Sequence, residues 1–192
     1  PYQVKLIMLK EKIKSLAQEL KEEVISNRRH LHANPELSYQ EFETANFVKQ
    51  KLEEIGIHKI ESKATTGWTA LIEGKNPTKK VIALRADMDA LPIVEANEVS
   101  YKSQKEGVMH ACGHDAHTAS LLGAAKILHQ VRDQFEGTIK LLFQPGEDIA
   151  QLPVAHDPFR AELHDNHQQQ RDHHPLDDAR RWFPFGKYHG DG

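Results

Sequence analysis

The stretch VIALRADMDALP, residues 81–92, decides the fold class. Val81-Ile82-Ala83-Leu84 is short and wholly apolar, as a strand covered on both faces should be. It runs directly into a polar loop, Arg85 to Pro92. A buried strand that ends in charged residues points to an open α/β sheet, in which ligands bind outside the carboxyl ends of the strands. Two carboxylates, Asp87 and Asp89, stand there at i and i+2. Such a pair can ligate a cation, or hold a ligating imidazole in one tautomer from behind. A solvated loop with an Arg–Asp surface pair explains the same residues equally well.

The flanking sequence agrees with a layered α/β domain. Upstream, Trp68 to Ile72 reads as another strand, separated by the turn-rich Gly74-Lys75-Asn76-Pro77. From about Leu9 to His32, Ile13, Leu16, Ala17, Leu20 and Val24 recur at helical spacing. They predict one amphipathic helix, stopped by Asn34-Pro35. The cations at its end, Arg28 to His32, suit the helix dipole, which accounts for them. Ser38 with Glu41 reads as a capping box opening a second helix, whose stripe is Phe42, Ala45, Val48, Leu52 and Ile55 and whose C-cap is Gly56. Downstream, a third helix from about Asp115 to Val131 offers Leu121, Leu122, Ala125 and Leu128 to the core. Thr138 to Phe143 is a further strand that breaks at Gln144-Pro145-Gly146. Helices alternating with strands predict the α/β class.

The densest chemistry lies in HACGHDAH, residues 110–117, just before that third helix. In an extended segment residues i and i+2 share a face, so Cys112 and His114 can point at one spot. Thiolate and imidazole together are plausible ligands for a divalent transition metal, and helix-terminal N–H groups favour the thiolate. A cysteine nucleophile with a histidine base fits the same spacing. So does an inert buried cysteine beside solvent-facing histidines. Glu147 and Asp148 follow the last strand in a Pro-Gly loop; adjacent acids there suit a general base and a ligand, and equally a solvated turn.

Composition excludes several classes. The chain has 192 residues, Lys+Arg 25 against Asp+Glu 28, and a net charge of −3, so nothing marks it for nucleic acid or anionic membrane. With 39% hydrophobic and 28% charged residues it is globular in type. One cysteine excludes an intramolecular disulfide framework. The longest apolar run near the start, Leu6 to Leu9, is far short of a signal-peptide core or spanning helix, and a reducing cytoplasm is the expected setting. Met8 is a candidate initiator.

The strings RRHLHANPELSYQEFET (28–44), ALRADMDALP (83–92), GVMHACGHDAHTASLLGAAKIL (107–128) and LLFQPGED (141–148) resemble the amidohydrolase branch of the di-metal aminoacylase and carboxypeptidase family. That branch includes hippurate hydrolases and indole-acetyl-amino-acid hydrolases. The resemblance covers residues 8–148 as the N-terminal part of a catalytic domain. It implies a three-layer, zinc-exopeptidase-like fold, a mixed sheet between helices, here incomplete. It also implies an inserted lid domain that mediates dimerisation in full-length relatives. The implied activity is hydrolysis of the amide bond of N-acyl amino acids or peptides, through water activated by two divalent ions, Mn or Zn. By position, Cys112 matches a bridging thiolate ligand and His114 a terminal ligand. Glu147 matches the general base, and Asp89 the carboxylate that supports the metal site from behind. Asp87 stands where distant relatives place a ligating His.

Two departures carry consequences. Asp148 stands where the family usually has a ligating Glu, one methylene longer. The family also continues through the lid and two further ligating histidines, whereas residues 149–192 do not resemble that continuation. The segment HDNHQQQRDHHPLDDARR (164–181) shows no apolar period, and six of the 13 histidines fall after residue 155. Such a tail is expected to be disordered or translated out of frame. The alternative to an active hydrolase is therefore a truncated, inactive fragment that at most binds one metal ion weakly.

Overall fold

The computed structural model describes residues 2–146. Four strands form one mixed sheet: β1 (Ile60–Lys63), β2 (Gly67–Glu73), β3 (Val81–Asp87) and β4 (Thr138–Gln144), in the order β1-β2-β4-β3. β2 pairs antiparallel with β1 and β4, whereas β3 and β4 are parallel. A parallel pair needs a long crossover. Here the crossover contains the helix α4 (His114–Gln130).

The registers line up one apolar face. Trp68, Phe143 and Ala86 form one row, Ala70, Leu141 and Leu84 the next, and Ile72, Ile139 and Ile82 the third. Val48 and Leu52 of α3 (Phe42–Ile55) pack on this face with Leu121, Leu122 and Ala125 of α4. The mixed α/β architecture is thus the one expected. Strand β1 had no sequence signal, because IESK is short and mostly polar.

Three local expectations change. The first helix is two segments, α1 (Tyr2–Glu19) and α2 (Lys21–Ala33), meeting at Leu20. Leu20 keeps right-handed helical angles, and the bonds from Leu20 N–H to Leu16 and from Val24 N–H to Leu20 carry the ladder across. The apolar period therefore reads through the junction unbroken.

The capping box does not form. Helix α3 starts at Phe42, and neither Ser38 nor Glu41 caps it through a side chain. Instead the Glu36 carboxylate accepts the N–H groups of Glu43 (3.2 Å) and Thr44 (2.8 Å). A carboxylate satisfies those orphan donors and also opposes the positive end of the helix dipole. At the other end Gly56 adopts a left-handed φ of 94°, and Ile57 N–H reaches back to Leu52, so the expected C-cap holds.

Among the described residues nothing covers the first half of strand β3 on both faces as expected: it ends the strand order, and Val81 and Ile82 are 61% and 43% exposed. An apolar run reports strand character, but whether a neighbour pairs beyond it is a tertiary matter. Among the described residues, no helix is long and apolar enough to cross a membrane.

Two substitutions in the same sheet should separate sharply. Leu141 in β4 is fully buried, so Leu141→Ala should cost about 2–5 kcal/mol in urea unfolding. Val81→Ala, on the open edge, should stay within about 0.5 kcal/mol of the parent.

Candidate metal centre

The carboxyl end of β3, the start of α4 and the carboxyl end of β4 meet at one sheet edge. Met88 N–H bonds to the Gln144 carbonyl (2.9 Å), and Thr118 Oγ1 donates to the Asp87 carbonyl (2.9 Å). These contacts hold residues 87–89 between α4 and the exit of β4.

His114, the first residue of α4, is buried, and its Nδ1–H points at the Asp89 carbonyl oxygen (2.9 Å) and at Asp89 Oδ1 (3.1 Å). The other carboxylate oxygen of Asp89, Oδ2, accepts the Ser38 hydroxyl at 2.6 Å. Donation from Nδ1 puts the lone pair of the neutral ring on Nε2, the arrangement of a metal-ligating histidine backed by a carboxylate. The bond to the Asp89 side chain, opposed by burial and aided by the Asp89 carbonyl, raises the His114 pKa to about 10. The same field that favours a proton on this ring favours a cation beside it.

Cys112 is exposed and carries a free thiol two residues before His114. Asp87 turns elsewhere: Arg85 Nε and Nη2 both reach its Oδ1, at 2.8 and 2.7 Å. Of the two carboxylates after the apolar strand, Asp89 therefore faces the imidazole and Asp87 faces Arg85. Glu147 and Asp148 lie outside the described residues, as does the histidine-rich tail. Among the described residues no group of three or more His, Cys, Asp or Glu converges on a metal position. Cys112 and His114 fit an N/S-type divalent site as two donors of a larger set.

A buried polar network beside the centre had no counterpart in the sequence reading. His32, read there as a dipole partner, is buried, with Nδ1 2.7 Å from Asp115 Oδ2 and Nε2 3.0 Å from Glu95 Oε1. Arg28 Nε also reaches Asp115 Oδ2 (2.9 Å), and Ser103 N–H binds Glu95 Oε2 (2.7 Å). Burial acts to raise the Glu95 pKa, but the Ser103 amide and His32 outweigh it and hold the carboxyl below its ordinary value. The partners of His32 lie 63 and 83 positions away, so no local spacing could reveal them. His110, also buried, has no hydrogen-bond partner on either ring nitrogen among the described residues, and burial above all lowers its pKa to about 4.

Glu41 is the other buried acid of note. It accepts Thr66 Oγ1 at 2.7 Å and Gly146 N–H at 3.0 Å, tying the start of α3 to the β1–β2 turn and to the exit of β4. Desolvation pushes its carboxyl up, against the opposing effect of these bonds.

Residues 83–165 match the sequence profile described as Peptidase family M20/M25/M40. The chain is 51% identical over 142 residues to an N-acyl-L-amino acid amidohydrolase of Geobacillus stearothermophilus, an alignment covering 74% of this chain and 38% of the relative. An N-acetyl-L-cysteine deacetylase of Bacillus subtilis is 51% identical over 67% of this chain and 31% of its own length. The solved YXEP protein of Bacillus subtilis, described as a dinuclear metal binding peptidase from the M20 family, superposes with a TM-score of 0.64. Its identity is 45%, over 70% of this chain and 38% of that one. The chain thus spans less than two-fifths of each of these relatives.

The raised pKa of Glu41 has a definite sign in stability. Its folded form holds a proton to higher pH than the unfolded chain, whose carboxyl titrates near 4.5. Stability from this group is therefore greatest below that value and falls as pH rises from there through the folded pKa. Glu41→Gln, whose amide oxygen can accept Gly146 N–H while its NH2 donates to the Thr66 hydroxyl oxygen, should gain on the parent over that window when urea midpoints are compared across pH.

Proposed function

We propose, for a chain that belongs to peptidase family M20/M25/M40 and spans the N-terminal part of its relatives, hydrolysis of the amide bond of N-acyl amino acids or peptides. The observation that carries this reading is the His114–Asp89 pair, with Nδ1 donating to a buried carboxylate and a free thiol two residues away. Cys112, His114 and Asp148 are the residues of this chain that would hold the divalent ions. Two such ions, Mn or Zn, supply Lewis acidity, which acidifies water and polarises the scissile carbonyl.

The chain's own groups do the rest. Asp89 keeps His114 in one tautomer and balances the positive charge in front of it. Glu147 takes the proton of the attacking water as the oxygen–carbon bond forms, and delivers it to the amine nitrogen as the carbon–nitrogen bond breaks. A carboxylate serves both steps because it is a weak base before the attack and a competent acid after it. A thiolate ligand stays usable only where it stays reduced, which fits the cytoplasm.

A second reading is a chain that at most holds one ion weakly through Cys112 and His114. Of the three proposed ligands, Cys112 and His114 are the two that fall within the described residues.

One experiment separates these readings: hydrolysis of N-acetyl amino acids by the chain reconstituted with Mn or Zn, beside Glu147→Gln. The hydrolase reading expects turnover that chelator abolishes and that falls at least about 100-fold in the variant. Metal-dependent protection of Cys112 from alkylation without turnover supports the second reading. Turnover that survives chelator but is lost on alkylation would instead assign Cys112 as a nucleophile and overturn both.

A further inference from the structure

Residues 36–41 form a short strap across the carboxyl ends of β3 and β4. The Glu36 carbonyl accepts Ala90 N–H at 2.7 Å, and Leu37 pairs with Ala90 in an isolated parallel bridge. Ser38 Oγ lies 2.6 Å from Asp89 Oδ2. At the far end Glu41 accepts Gly146 N–H. Gly146 has φ 63°, and a Cβ there would sit 2.5 Å from the Tyr39 ring, so strap and loop are in close contact. The strap is thus anchored at both ends, with Ser38 between the anchors.

We propose that Ser38 is a positioning residue for the cation site, acting on His114 through Asp89. The proposal rests on the reading of His114 as a cation ligand. A carboxylate turns easily about its last bond, because that torsion is broad and nearly two-fold. Asp89 has a donor on each oxygen: His114 Nδ1 on Oδ1 and the Ser38 hydroxyl on Oδ2. Two donors on opposite oxygens define the plane of the carboxylate. That plane fixes Oδ1, which together with the Asp89 carbonyl oxygen (2.9 Å) sets the direction of the Nδ1–H bond, and therefore the direction of the Nε2 lone pair across the ring. Ser38 is also relieved of the task its sequence position suggests, since Glu36 caps α3. Its hydroxyl serves the carboxylate instead.

The test uses the full 192-residue chain, in which Cys112 is the sole thiol. The first readout is the Co(II) concentration that half-protects Cys112 from iodoacetamide, in the parent, Ser38→Ala and Ser38→Thr. Ser38→Ala should raise it about 10-fold or more, the usual effect of losing a hydrogen bond behind a metal ligand. Ser38→Thr, which keeps the hydroxyl, should restore the parent value. The second readout needs no metal: the Nδ1 proton of His114 in nitrogen-15 NMR should shift or broaden in Ser38→Ala and recover in Ser38→Thr.

An unchanged half-protection and ring spectrum in Ser38→Ala overturns the proposal. So does a loss that Ser38→Thr fails to rescue, since that marks packing rather than the hydroxyl. If Co(II) does not protect the parent, the cation reading is what fails, and the His114 spectrum alone decides whether Ser38 positions the ring.

Discussion

The parallel pairing of β3 with β4 is the constraint from which the site follows. Parallel strands must end at the same sheet edge, and the helix between them must run back before the second strand begins. The end of β3, the start of α4 and the end of β4 are therefore neighbours by topology alone. Asp89, His114 and Gly146 inherit that arrangement. None of them is near another in sequence, and each follows or opens a regular element at the shared edge.

Holding so many polar groups under cover has an energetic cost that the structure meets with reciprocal bonds. Asp89, Asp115, Glu41 and His114 are all nearly inaccessible, and an unpaired charge in such places is strongly unfavourable. Asp89 is matched by His114 and Ser38, Asp115 by His32 and Arg28, and Glu41 by Thr66 and Gly146. These bonds also bind together what the sheet leaves loose. His32 joins the end of α2 to the start of α4 through Asp115, and to the loop at Ser103 through Glu95, whose carboxylate accepts the Ser103 amide. The long irregular passage from Met88 to Gly113 is ordered by such contacts rather than by secondary structure, as functional loops of that length commonly are.

Much of this was legible from local pattern. Ala45, Val48 and Leu52 of the α3 stripe, the Gly56 cap, the span of α4 and three of the four described strands follow from period and turn chemistry, which act within a few residues, whereas Phe42, expected in that stripe, is 54% exposed. Cys112 and His114 stand two positions apart in the sequence, but the thiol is exposed and the imidazole buried. The choice between Asp87 and Asp89 was not legible. Both follow the same strand, but Asp87 still belongs to it and meets Arg85, while Asp89 lies beyond it and meets His114.

The sequence by itself determined the α/β class and the placement of polar residues at the ends of elements, because each depends on neighbours a few positions away. The tertiary structure decided which side chains those residues serve. Ser38 and Glu41 have the pattern of a helix cap, yet one bonds Asp89 and the other Gly146, 51 and 105 positions distant. Glu36 takes over the cap. A capping hydroxyl and a carboxylate-orienting hydroxyl are the same group in the sequence. Only the fold, by bringing a buried and stronger acceptor within reach, selects between them.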